Sequence, residues 1–152
     1  MNRRCPENKL VGLGILRGWK WIINERRYAN IVPSPKDRVY GLVYEISPSD
    51  EASLDRWESV PQAYTKHIVG IELQSGNNKG GSMIQGLAYI DEKRKEEREP
   101  WEEYIHRMNM GINDAAARGL PRWYIDKCLR KFIPPEEEKE TVEVATNVRP
   151  KV

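Results

Sequence analysis

The hydrophobic period changes once along this chain, near residue 90, and that change is the strongest constraint on its fold. Up to Ile90 the apolar residues alternate or run in short β-branched and aromatic stretches. Beyond Pro100 they recur every three or four residues. A run of strands followed by a run of helices implies an α+β fold in one domain. The 152 residues suit a single domain, and five Trp and seven Tyr offset a single Phe in building its core.

Within the first half, Leu10 to Leu16, Trp19 to Ile23, Tyr28 to Val32 and Val39 to Ile46 read as strands, with Pro33-Ser34-Pro35 as a turn between the last two. Both faces of Val39–Ile46 are apolar, which predicts a central strand. Ser47-Pro48-Ser49-Asp50 is a helix start: Ser47 suits the N-cap, Pro48 the first helical position and Asp50 a capping carboxylate. This helix runs to about Glu58 and ends before Pro61. Tyr64 to Leu73 alternates, with His67, Val69, Ile71 and Leu73 on one face, and Met83 to Ile90 is the return strand. The glycine-rich connector between them lacks the order of a phosphate-binding loop and lies between strands, so a hairpin loop is the simpler reading. Asp91 to Glu99 is a mixed charge run, expected as a solvated linker.

In the second half, Pro100 opens a helix with an apolar stripe of Tyr104, Ile105, Met108, Ile112 and Ala115 or Ala116. Gly119 suits the position just past its end, Pro121 opens a further helix, and Pro134-Pro135 stops it. The expected architecture is therefore a mixed, barrel-like sheet, a short helix carrying Glu58, and two C-terminal helices. It forms a domain over residues 1–135, and residues 136–152 form a loose charged tail.

Net charge is 25 − 23 = +2, which disfavours a generally basic nucleic-acid binder. Residues 1–40 carry nine Lys and Arg against three acids. Their interleaving with apolar residues points to solvated strand faces more than to a nucleic-acid arm. Trp19 and Trp21 at strand spacing are core or sheet-surface aromatics before they are base-stacking platforms. Two cysteines, Cys5 and Cys128, make no disulfide framework, and two histidines with no ligand spacing make no metal site. No cofactor is called for. No apolar run reaches membrane-spanning length, and the expected location is cytoplasmic.

Glu58 is the candidate for chemistry. It shares a helix face with Leu54 and follows Trp57, at the helix end where the dipole disfavours a carboxylate. Desolvation and dipole both raise a carboxyl pKa, which suits a general base near neutral pH. The alternative is an ordinary exposed helix-end glutamate.

Leu54-Asp55-Arg56-Trp57-Glu58-Ser59-Val60-Pro61, closing with Tyr64, resembles the L-D-x-x-E-G-V-x-x-x-Y signature of the γ-glutamylcyclotransferases. Tyr28 to Pro35 followed by Val39 to Tyr44 is similar to the same family's A-x-I/V-x-x-S-P-x-x-x-V-x-G-V/L-V-Y/W stretch. Arg4-Cys5-Pro6 and Met110-Gly111 through Tyr124 also match. The resemblance implies a barrel-like fold and conversion of a small γ-glutamyl amino acid or γ-glutamyl amine to 5-oxoproline and a free amine, in the sphere of glutathione metabolism. It implies Glu58 as catalytic acid and base, with Tyr64 and Tyr89 lining the substrate site. From charge and hydropathy, no nucleic-acid or membrane partner is expected.

Two departures stand out. The residue after the glutamate is Ser59 instead of glycine, a poor fit if the position needs a positive φ. No Y-G-S-N loop, which in the family holds the glutamyl carboxylate, occurs among the 152 residues, nor does the strand that leads into it. A non-catalytic binding or regulatory member of the same scaffold is therefore the competing reading. The absent strand also predicts open neighbouring edges, to be met by self-association as a homodimer or left as a half-built, weakly active site, with Thr141 to Ala145 as a further candidate filler strand.

Overall fold

A computed structural model describes residues 5–74 and 81–136. Its elements are β1 (Lys9–Ile23), β2 (Ala29–Glu45), α1 (Pro48–Trp57), β3 (Thr65–Gln74), β4 (Met83–Ile90), α2 (Glu102–Ala117) and the short α3 (Arg122–Tyr124). A π-helical turn over Ile125–Leu129 continues α3. The four strands form one sheet in the order β2-β1-β3-β4. The α+β class, the Glu58-bearing helix and the C-terminal helical layer are as the sequence predicts. The Gly76–Gly80 part of the hairpin loop and the Thr141–Ala145 segment lie outside the described residues.

Where a mixed sheet is expected, the three pairings among the described residues are all antiparallel. The reason is connectivity. β1 and β2 are joined by a turn that reverses the chain, β4 pairs antiparallel with β3, and the α1 crossover lays β3 beside β1 running against it.

The expected turn at Pro33-Ser34-Pro35 is not a strand boundary. β2 runs through it, and Leu10–Leu16 and Trp19–Ile23 likewise merge into one β1. The turn chemistry is spent on a bulge. Arg17 pairs with Arg38 and Trp19 with Pro33, so Gly18, at φ 88°, faces four residues of β2. Ser34 donates to Asp37 across the looped-out piece. A bulge is where a strand accommodates prolines, because no ladder donor is needed there.

The run from Asp91 to Glu99 is likewise no solvated linker. Asp91 is 1% exposed. Its carboxylate accepts from Asn24 Nδ2, the backbone of Lys93 and Arg94, and the Arg94 guanidinium. Asn30 closes the knot by donating to the carbonyls of Asp91 and Arg94 and accepting from the Asp91 amide. A buried carboxylate is tolerated only with such partners. The charged run is thereby strapped along the β1–β2 turn, with Arg98 N donating to Ile23 O.

The main core lies between the sheet and the C-terminal helices: Leu13 and Ile23 from β1 meet Ile112, Ala115, Leu120, Tyr124, Ile125, Leu129 and Ile133. Trp21 joins it edge-on to Phe132. On the other side, β2 and β4 are the sheet edges, so Val39–Glu45 lies in an edge strand where its two apolar faces predict a central one. The two edges face one another across an apolar cleft of two adjoining cavities, about 260 and 560 Å³, lined in common by Leu42, Val43, Ile71 and Tyr89. No described helix is long and apolar enough to cross a membrane.

Candidate active site

The site grows from the end of α1. Ser47 caps its start by accepting from Asp50 N at 3.1 Å, and Pro48 occupies the first turn. Asp50 departs from its expected capping role: its carboxylate accepts from Glu7 N, 3.1 Å away, and its carbonyl from the Cys5 thiol. The chain ahead of β1 is in reach and buries the side chain, at 2% exposure, so tertiary contact replaces the local cap.

At the other end Glu58 is the C-cap, and its amide donates to Leu54 O at 2.8 Å. Ser59 then turns left-handed at φ 52°. Its amide donates to Arg56 O at 3.2 Å and that of Val60 to Asp55 O at 3.0 Å. These two bonds form a Schellman turn, normally closed by glycine. The position does require a positive φ, and Ser59 meets that requirement with strain. The turn fixes the half-buried Glu58 at the mouth of a cavity.

That cavity, about 370 Å³, is lined by Arg26, Tyr28, Trp57, Glu58, Tyr64, Tyr104 and Arg107. Arg26 and Tyr28 come from the β1–β2 turn. Asn24 shapes it: its side chain accepts from Arg26 N, while Trp101 Nε1 donates to Arg26 O. Tyr104 and Arg107 come from α2, and Tyr104 meets Tyr28 edge-on at 5.1 Å. Tyr64 is 8% exposed and donates its hydroxyl to Ala29 O at 2.9 Å. Burial pushes that phenol's pKa up, and the negative charge of Glu58 adds to the shift.

Of the three residues singled out from sequence, the structure brings Glu58 and Tyr64 into one cavity. It sets Tyr89 on the apolar cleft instead, with its hydroxyl donated to Asp55 Oδ1 at 2.7 Å. Burial and the Asp55 carboxylate both raise the Tyr89 pKa. Asp55 is thus the anchor of α1 on the sheet, taking Lys66 Nζ on its second oxygen at 3.1 Å.

Sequence reasoning missed Arg26, Tyr28, Tyr104 and Arg107 as site residues. Tyr28 stood at the edge of a matching segment, and the others carried no local signal. Cys128 lies half-buried away from this cavity, and burial raises its thiol pKa. Among the described residues no group of three His, Cys, Asp or Glu side chains is placed to hold a metal.

The sequence pattern of the AIG2-like family matches residues 38–128. Among solved structures, the fold is similar to an uncharacterized protein, loc79017, from Homo sapiens. The two share 25% identity and a TM-score of 0.71, over 93% of this chain and 88% of that one. It is also similar to a structure described as gamma-glutamyl cyclotransferase, at 24% identity and TM-score 0.72, over the same shares. No curated protein sequence matches this one. With well over half of its length inside the family pattern, the chain belongs to the AIG2-like family.

Proposed function

We propose that this protein is a γ-glutamylcyclotransferase, converting a small γ-glutamyl compound to 5-oxoproline and a free amine or amino acid. The observation that carries the reading is Glu58, held half-buried at a tyrosine-walled cavity of about 370 Å³, a volume suited to a small ligand. The fold shared with a gamma-glutamyl cyclotransferase supports it.

The reaction asks little else of the protein. The α-amine of the γ-glutamyl group attacks its own γ-carbonyl carbon, forming a C–N bond as the ring closes. The Glu58 carboxylate takes the proton that the amine must shed. The bond from the γ-carbon to the leaving nitrogen then breaks, and Glu58 returns the proton to that nitrogen. Nucleophile and electrophile are already tethered, so the pocket mainly orients them. One carboxyl group acting as base and then acid contributes about 10² to 10⁴-fold. Tyr64, with its hydroxyl committed to Ala29 O, serves as a wall of the cavity. Tyr89 serves the site from the far side of α1, through Asp55.

The test is 5-oxoproline release from γ-glutamyl dipeptides by the wild-type chain and by Glu58→Gln. The variant keeps the shape and loses the proton transfer, so turnover falls by about 10² or more with the unfolding midpoint unchanged. Undiminished release by Glu58→Gln overturns the assignment. A folded wild-type chain that binds γ-glutamyl dipeptides without turning them over returns the non-catalytic reading.

A further inference from the structure

The C-terminal end of β4 holds two walls of the Glu58 cavity from outside it. The Tyr89 hydroxyl donates to Asp55 Oδ1 at 2.7 Å, and so grips the helix that ends in Glu58. Two residues on, the buried Asp91 carboxylate takes Asn24 Nδ2 on its Oδ2 at 3.2 Å. Asn24 is itself fully buried, and it closes the β1–β2 turn. Its amide donates to Tyr28 O at 3.0 Å, its carbonyl accepts from Arg27 N at 2.7 Å, and its side-chain oxygen accepts from Arg26 N at 3.0 Å. Arg26 and Tyr28 line the cavity; Asn24 and Asp91 do not.

The chemistry of the Asn24–Asp91 contact is one-sided. Asp91 Oδ1 accepts from the amides of Lys93 and Arg94 at 3.0 and 3.2 Å. Its Oδ2 accepts from Asn24 Nδ2 and from the Arg94 guanidinium, the latter at 2.9 Å. Every one of these partners donates, and an ionised carboxylate only accepts. An asparagine in this place would set its NH2 against two donors whichever way it turned. Asn24, by contrast, has a donor end and an acceptor end. Asp91 takes the donor end, and that aims the Asn24 oxygen at Arg26 N.

We infer that Asp91 is a positioning residue for the cavity: through Asn24, its carboxylate fixes where Arg26 and Tyr28 stand relative to Glu58. The kinetic consequence rests on the cyclotransferase reading; the geometric one does not. With Tyr89 two residues earlier, one strand end then sets the wall built by the β1–β2 turn against the wall built by α1.

The first readout needs no substrate. NMR of the folded protein follows the Arg26 amide and the ring resonances of the Tyr28–Tyr104 pair, which meet edge-on at 5.1 Å. Both should shift in Asp91→Asn, while the core resonances of Ile112 hold. The second readout is 5-oxoproline release from γ-glutamyl-alanine. In Asp91→Asn, kcat/KM should fall about tenfold or more, since a misplacement of about 1 Å costs up to about 10²-fold. Most of the fall should lie in KM, because Glu58 is held by its own backbone turn. KM does not depend on the fraction of a variant that is folded, so it separates positioning from stability. Asn24→Ala should move the Tyr28–Tyr104 resonances and KM in the same way while leaving Asp91 its other donors, and it carries the test where Asp91→Asn does not fold. Arg94→Gln is the control. It weakens the knot without touching the Asn24 contact, so KM and the resonances should hold. Combining Asn24→Asp with Asp91→Asn reverses donor and acceptor across the contact and should recover part of the loss.

Unmoved Tyr28 and Tyr104 resonances in the folded variants, an unchanged KM, or an equal rise of KM in Arg94→Gln overturns the inference and leaves the reaction standing. No turnover by the wild-type chain overturns the reaction. The resonances then decide the positioning role alone: it stands if they move in Asp91→Asn and hold in Arg94→Gln, and falls otherwise.

Discussion

At the end of α2, Gly119 at φ 106° sends its amide to Ala116 O, and Leu120 sends its amide to Ala115 O. At the end of α1, Ser59 and Val60 make the same pair of bonds to Arg56 and Asp55. The hydrogen-bond device is identical; the residue at its pivot and the anchoring of the helix are not. α2 sends Ile112 and Ala115 into the main core. α1 buries only Asp50 among its ten residues and holds the sheet through Asp55 to Tyr89 and through Asp55 and Glu51 to Lys66. The helix that carries Glu58 is thus gripped by polar contacts at half-exposed sites, which are worth little individually. The other helix is gripped by apolar burial. Both helices reach the candidate cavity, α1 through Glu58 at its end and α2 through Tyr104 and Arg107, so the two differ in how they are held and not in which of them faces it.

Truncation of the apolar anchors should separate the helices most. Ile112 is 4% exposed, so Ile112→Ala should cost about 3 kcal/mol from lost transfer and the cavity left behind. Leu54→Ala, on the half-buried face of α1, should cost about 1 kcal/mol. Denaturant unfolding of both variants reads the difference, and equal costs would break the comparison. The pivots come next. A Cβ at Gly119 meets nothing within 4 Å. The cost of Gly119→Ala is therefore that of the left-handed backbone alone, about 1 to 2 kcal/mol. A cost near zero would show that α2 can end in another way.

The two helix ends also show what the sequence could and could not announce. Gly119 followed by Pro121 read correctly as a helix end and a new start, and Ser47-Pro48 as a start, because caps are local chemistry. The α+β division was legible for the same reason, as a change of period. Pro33-Ser34-Pro35 misled because prolines mark either a turn or a bulge, and only the register against Gly18 decides which. The charges after Asp91 misled because a buried carboxylate looks like an exposed one until Asn24 and Asn30, more than sixty residues away, are folded onto it. At the candidate site, Glu58 and Tyr64 sit six residues apart in a recognisable segment. Arg26 and Arg107 are joined only by the packing of the β1–β2 turn against α2, and no spacing in the sequence encodes that.

Ser59→Gly runs opposite to the change at Gly119. Glycine relieves the left-handed strain but loses more freedom on folding, so the net gain should be about 0.5 to 1 kcal/mol in unfolding free energy. Because backbone bonds fix the Glu58 turn, 5-oxoproline release should survive the change. A stable but inactive Ser59→Gly would mean that the serine side chain itself has a part in the site.

The smallest effect is expected where α1 meets β4. The Asp55 carboxyl is held below its ordinary value of 3.8, first by the Tyr89 hydroxyl and then by Lys66. Tyr89→Phe removes the first of these and keeps the ring on the cleft, so the Asp55 pKa should rise toward 3.8 without leaving the carboxylate range. Carbon-detected NMR titration of the Asp55 carboxyl measures this directly. The sign of the stability effect follows from linkage. A carboxyl with a lowered folded pKa contributes stability that is present above its unfolded value and is lost as pH falls through the folded value. The stability gap between wild type and Tyr89→Phe should therefore be full above about pH 5 and close as the solution is acidified below that. An Asp55 pKa that does not move would place the grip on α1 in the Glu51–Lys66 pair instead. Glu51→Gln would then become the variant that loosens the helix carrying Glu58.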